Sequence, residues 1–318
     1  MKLSEIYEFV VKKGIEQDPR GASAVNKTLE RAKKASEDLK PQQRQEFDKD
    51  SLVNPYADTR ILNGNPNSDI KSMLVGIDID AAEILLADRL KQTGRSVDLV
   101  MAHHPGGRAY ASFYEVMHMQ TDILAQIGVP INVAEALLGE RIKEVERRVH
   151  SANHTRAVDA ANLLNIAFMC VHTPADNHVT TYLQKLVDKQ KPEFISDLVK
   201  LLKDVPEYKE ASRRNAGPKV ILGSEKNRAG KIMVDMTGGT EGSKDIFKEL
   251  SKAGVSTIVG MHLSDDHIKK AQTEHINVVI AGHIPSDTLG LNLLLDQLVK
   301  KDKKIEIIQC SGFVRIAR

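Results

Sequence analysis

Tryptophan is absent, aromatic residues make up only 4% of the chain, and there are two cysteines in 318 residues. Cys170 and Cys310 both lie inside apolar runs, so they read as buried reduced thiols rather than a disulfide, and a cytoplasmic location is expected. Neither sign of charge dominates: 45 basic residues face 43 acidic ones, a formal charge of +2. That balance supplies no electrostatic footprint for nucleic acid. Long apolar runs are also missing, with no stretch near the ~18 residues of a membrane span. The opening MKLSEIYEFVVKKG carries Glu5 and Glu8 among its apolar residues and is not a signal peptide.

What the chain does have is a repeated way of ending apolar runs. VDLVMAHHP, Val97 to Pro105, runs from a buried strand pattern into His103 and His104, and Pro105 stops it. IAFMCVHTPAD ends in His172, Pro174 and Asp176, and INVVIAGHIPSD ends in His283, Pro285 and Asp287. The last two share the pattern His-x-Pro-x-Asp. Ligands of open α/β sheets bind outside the carboxyl ends of the strands. Imidazole and carboxylate together suit Zn, Fe, Mn or Co. The set exceeds what one ion needs, and neighbouring residues on a strand face opposite ways. His103 and His104 can therefore face two different ions, and a dinuclear site is expected.

Strand and helix patterns alternate through most of the remaining chain, which gives an α/β class. Residues 1–50 are expected to be a helical segment with a Leu3, Ile6, Phe9, Val10 stripe. Turn formers make 54–67 a loop, and 73–79 is the first strand. Asp78 at its end is read first as the cap of a helix over 81–91, with support of a metal ligand as the alternative. Helices are expected over 113–128 and 133–165, separated by a strand-like VPINV, with His150 and His154 able to share a helix face. A helix over 183–203 and a polar connector over 205–218 follow. Residues 219–222 and 231–236 read as a hairpin, and TGGTEG opens a helix where Gly238 and Gly239 are candidate anion holders. Gly106 and Gly107 give a weaker signal of that kind. His262 follows another strand, a helix spans 291–299, and 305–310 is a final strand. These readings divide the chain into 1–50, a first α/β half over 51–215 with a helical insertion, and a second half over 216–318.

AHHPGG, the strand into HTPAD, TGGTEG, and the strand into AGH with an acid four residues after the histidine together resemble the NIF-three-like family. This is the NGG-one-interacting factor three group, also labelled type-two GTP cyclohydrolase homologs. The resemblance covers roughly Asp58 to the C-terminus. It implies two related α/β halves with a dinuclear metal site between them, plus N-terminal and central helices beyond the family core. It also implies His103 and His104 on separate ions, Asp176 on one, His283 on the other, and the last carboxylate bridging both. That carboxylate is usually Glu; here it is Asp287, one methylene shorter. The resemblance further implies a homo-oligomer, with ring-shaped hexamers as the family precedent. Two functions follow as expectations. The first is a two-metal hydrolase on a phosphorylated or nucleotide-like small molecule, with His172 or His262, both expected to stand behind the metal ligands, moving a proton. No nucleobase signature supports the cyclohydrolase label itself. The second is a non-catalytic protein that delivers or senses metal, or assembles partners.

Overall fold

The computed structural model describes all residues from Met1 to Arg318. Nine strands form two sheets. The first contains β1 (Thr59–Asn63), β2 (Ser72–Gly76), β3 (Leu99–Ala102), β4 (Ala167–Val171) and β9 (Glu306–Gln309), in the order β1-β4-β3-β2-β9. The second contains β5 (Lys219–Leu222), β6 (Lys231–Asp235), β7 (Val255–Gly260) and β8 (Asn277–Ile280), in the order β5-β8-β7-β6.

The order 1-4-3-2 in one sheet matches 5-8-7-6 in the other. Within each, three strands run parallel and the first is antiparallel to its neighbour. The two α/β halves are therefore related in topology, and β9 is the addition. β9 carries residues of the second half back to pair with β2. The helix Leu3–Glu16 likewise buries Leu3, Ile6, Phe9 and Val10 in the first sheet's core, with Met73, Met101 and Val171. Packing thus crosses the divisions at residues 50 and 215.

Several sequence expectations give way. The segment 54–67 contains β1: its turn formers flank the run Thr-Arg-Ile-Leu-Asn, whose edge position needs pairing on one side only. VPINV is not a strand, because Ile131 already begins the helix Ile131–His150. That helix ends before His154, so His150 and His154 share no helix face. The stretch 205–218 holds the helix Pro206–Arg213, with Pro in its first turn and Tyr208 fully buried. β5 and β6 form no hairpin; they lie on opposite edges of their sheet.

The helix Ile131–His150 ties the halves together. It belongs to the first half by sequence, yet Leu138, Ile142 and Val145 bury against Met233, Ile246 and Val278 of the second.

The two His-x-Pro-x-Asp motifs are helix starts rather than strand-end loops. β4 passes directly into the helix His172–Gln190, and β8 passes through Ala281 and Gly282 into the helix His283–Lys301. Gly282 has a φ of 104°, a turn that glycine makes without strain. Pro174 and Pro285 fall in first turns, where a missing N–H costs no hydrogen bond. His and Asp four residues apart then face the same way. The helices cross closely: a Cβ on Gly290 would lie 2.4 Å from the Ala175 carbonyl oxygen. This crossing brings Asp176 and Asp287 to one place.

Candidate metal centre

The five residues expected to hold metal meet at the carboxyl ends of β3, β4 and β8. Nε2 of His104 lies 3.3 Å from Nε2 of His283, and Oδ2 of Asp287 lies 3.5 and 3.4 Å from those two nitrogens. On the other side, Nε2 of His103 lies 3.3 Å from Oδ1 of Asp176 and 3.4 Å from Oδ1 of Asp287. Each group is a triangle of donor atoms, and Asp287 gives one oxygen to each. Tetrahedral coordination at ~2.0–2.1 Å separates ligand atoms by roughly 3.3–3.4 Å. The donor spacing therefore fits small divalent ions.

Hydrogen bonding supports the same reading. His103 and Asp287 are fully buried and Asp176 nearly so. Both ring nitrogens of His103, both oxygens of Asp287 and Oδ1 of Asp176 nevertheless have no hydrogen-bond partner. The contacts between them are short but out of line for hydrogen bonds. A buried polar atom left unpaired costs ~1–3 kcal/mol, and five in one cluster are not explained by packing. These buried groups could hold metal ions.

The charges are matched. Burial alone would lower the pKa of His103, but the Asp287 carboxylate, with Asp176, pushes it up to about 10. Burial would raise Asp287, but His103, His283 and His104 pull it down to about 2. Burial lowers His283, which favours the neutral imidazole that metals bind.

Two carboxylates set imidazole orientation from behind. Nδ1 of His104 donates to Asp78 at 2.7 Å, which leaves the Nε2 lone pair facing His283 and Asp287. Asp78 is not the helix cap; Asp80 fills that role, accepting from the amide of Ala81. Nδ1 of His172 bonds fully buried Asp58 at 2.8 Å, and Thr173 also donates to Asp58, at 2.6 Å. Sequence reasoning misses Asp58 because it sits among turn formers. Its one sequence signal is that it immediately precedes β1. His172 itself turns Nε2 toward Oδ2 of Asp176, 3.7 Å away, and groups with His103 and His104. It lines the cluster rather than standing behind it.

His262 lies at the cluster's rim, its ring centroid 4.8 Å from that of His283. It is the counterpart of His104: β3 and β7 occupy equivalent positions, and each histidine is the second residue past its strand. Nδ1 of His262 bonds Glu241 at 2.9 Å, as His104 bonds Asp78. That carboxylate outweighs burial and raises the His262 pKa.

Gly238 and Gly239 lie in the loop after β6, both with φ near 90°. Added Cβ atoms would come within 3.0 Å of Gln120 and Val116, and the Gln120 amide donates to the carbonyls of Gly238 and Thr240. Close packing against Gln120 accounts for glycine there. The residues after TGGTEG form only a short helix, Phe247–Lys252, preceded by a 3-10 turn.

A cavity of about 90 Å³ adjoins the cluster, lined by His172, Asp176, His283, Asp235, Glu241 and His262 among others. The larger groove of about 1020 Å³ runs beside β6 and contains none of the metal-centre residues.

The solved structure of a NIF3 superfamily protein from Sphaerobacter thermophilus matches with a TM-score of 0.70 and 29% identity. The match covers 81% of this chain and 92% of that one. The fold is that of the NIF3 superfamily. Reduced HcgD from Methanocaldococcus jannaschii is also similar, at 16% identity and a TM-score of 0.46, over 85% of this chain and 97% of its own. A Thermus thermophilus protein, TTHA1606, matches at 13% identity and a TM-score of 0.43, over 79% and 86%. No protein-family model and no curated protein matches the chain. No helix of this NIF3-like chain is long and apolar enough to cross a membrane.

Proposed function

We propose that this NIF3-like protein binds two divalent ions and hydrolyses a phosphorylated or nucleotide-like small molecule, in the cytoplasm and as a homo-oligomer. The observation that carries this reading is the pair of donor triangles sharing Asp287, built from buried atoms that lack other partners. His104, His283 and Asp287 would hold one ion, and His103, Asp176 and Asp287 the other, each Zn, Fe, Mn or Co. A pair of such ions activates a water nucleophile and draws charge from the leaving oxygen. Asp78 and Asp58 fix the rings of His104 and His172 in one tautomer, so that Nε2 is the atom presented. His262, partly exposed and held by Glu241, is placed to pass a proton to a leaving group. The anionic part of the substrate belongs at the metals, because no lysine or arginine lines the cavity beside Gly239.

Elemental analysis of freshly purified protein, followed by assay on a phosphoester and nucleotide panel, tests the reading. About two ions per chain with turnover that His104→Ala abolishes is expected. Two readily exchanged ions and no turnover across the panel would assign the protein to metal delivery or sensing instead.

A further inference from the structure

The cavity beside the metal centre has a distinct chemistry at its far end. Asp235 is the last residue of β6, and its side chain lines the cavity. Asp235 is exposed, and it opens on the cavity beside the metal centre. No protein group hydrogen-bonds it. Glu241, half-buried, lines the same wall, with one oxygen taken by His262. Met233, Phe247 and Ile258 supply an apolar side, and no lysine or arginine approaches. By volume the cavity holds roughly three water molecules at their share of the liquid, so it admits the small polar end of a ligand.

The fold does not need a carboxylate at this position. β2 is the counterpart of β6, and the residue equivalent to Asp235 by strand register is Gly76: Gly76 pairs with Ala102 as Asp235 pairs with Gly260. Burial pushes Asp235 up to about 6 and Glu241 adds to this, while His267 and His262 oppose it. Its carboxylate has no hydrogen-bond partner within the chain, and His267 and His262 are the opposing charges nearest it.

We propose that this cavity binds the nitrogen-bearing end of the substrate: an amine, amidine or amino-heterocycle whose N–H groups donate to Asp235 and Glu241. The inference rests on the metal-centre reading for where the reacting bond lies, but not for the binding itself. It narrows the substrate class to molecules with an N–H donor group at one end and a hydrolysable bond at the other. Phosphate is the wrong occupant for this cavity, since two carboxylates would face it and no lysine or arginine lines the wall.

Calorimetric titration of the full-length, metal-loaded protein is the test, with 2-aminopyrimidine and benzamidine as probes and pyrimidine and the neutral acetophenone, which lacks N–H groups, as their counterparts. A charge-assisted hydrogen bond discriminates by about ten-fold or more, so each amino probe is expected to bind at least that much tighter than its counterpart. Asp235→Asn, which keeps the shape, is expected to abolish the preference, and Glu241→Gln to reduce it. Equal or tighter binding of pyrimidine or acetophenone, or an undiminished preference in Asp235→Asn, would overturn the proposal. Metal content measured on the same samples separates the two readings. About two ions without an amine preference defeats this inference alone. An amine preference without ions supports it and defeats the metal reading.

Discussion

Two buried polar clusters lie side by side along the helix His172–Gln190 and differ in one respect. Around Asp18, every strong group is paired. Its oxygens accept from the backbone and guanidinium of Arg20 at 2.8–3.0 Å and from the Tyr56 hydroxyl at 2.9 Å. Asn177 extends the network, donating to Tyr56 and to the Gly14 carbonyl and accepting from Thr237. At His103, Asp176 and Asp287, equally buried groups converge and leave five of their polar atoms without a hydrogen bond. Both clusters bring opposite charges together, but only in the first are the polar atoms also hydrogen-bonded within the chain. Burial of charge is therefore not the mark of a functional site; convergence without pairing is. Asp176 and Asn177 illustrate how close the two can lie, because they are adjacent on one helix and face different clusters.

The comparison can be broken most forcefully by removing one carboxylate from each cluster. Asp18→Ala strands the Arg20 charge and is expected to cost about 3–5 kcal/mol of unfolding free energy, with metal content per folded chain unchanged. Asp287→Asn also strands a buried charge, that of His103, but is expected to lose bound metal as well, because its oxygens face the other donors rather than hydrogen-bond donors. Equal metal content per folded chain in the two variants would erase the distinction.

A smaller effect is expected behind the ligands. Asp58→Asn leaves His172 free to change tautomer and turn, and outer carboxylates of this kind govern ~10–100-fold in metal affinity. Competition with a coloured chelator measures it. Unchanged affinity would show that His172 takes no part in holding metal.

The smallest effect has the opposite sign. Asp235 has a folded pKa of about 6 against an ordinary 3.8. Between those values the folded protein keeps a proton that the unfolded chain has released, so this group's contribution to stability falls as pH rises through 6. Asp235→Asn should stabilise the protein above pH 6, by about 1–2 kcal/mol once cavity water is allowed for, and change nothing below about pH 4. Paired melts at about pH 7.5 and pH 3.5 would show it. A destabilised variant at the higher pH would mean that Asp235 serves the fold.

How much of this is legible in the sequence depends on how local each signal is. The strands at 73–76, 99–102 and 277–280 and the meeting of three histidine-bearing ends follow from short apolar runs and the residues that stop them. The resemblance to the NIF-three-like family adds the division into related halves. What escapes depends on contacts distant in sequence. β5 and β6 read as a hairpin because they are neighbours in the chain, whereas β5 pairs with β8, the third strand after it. Asp58 is 114 residues from His172. Asp78 reads as a cap because Asp80, two residues later, cannot be told from it without the backbone. His-x-Pro-x-Asp is legible as a motif but not as a helix start, since proline there breaks the usual helical pattern while costing the first turn nothing.

Native mass spectrometry of apo-protein titrated with zinc bears most sharply on the shared role of Asp287. Two ions should bind the wild-type chain and one each should bind Asp176→Ala and His283→Ala, which remove a donor from different triangles. Asp287→Ala should bind neither tightly. A wild-type chain that takes a single ion, or an Asp287→Ala chain that still takes two, would contradict the paired centre.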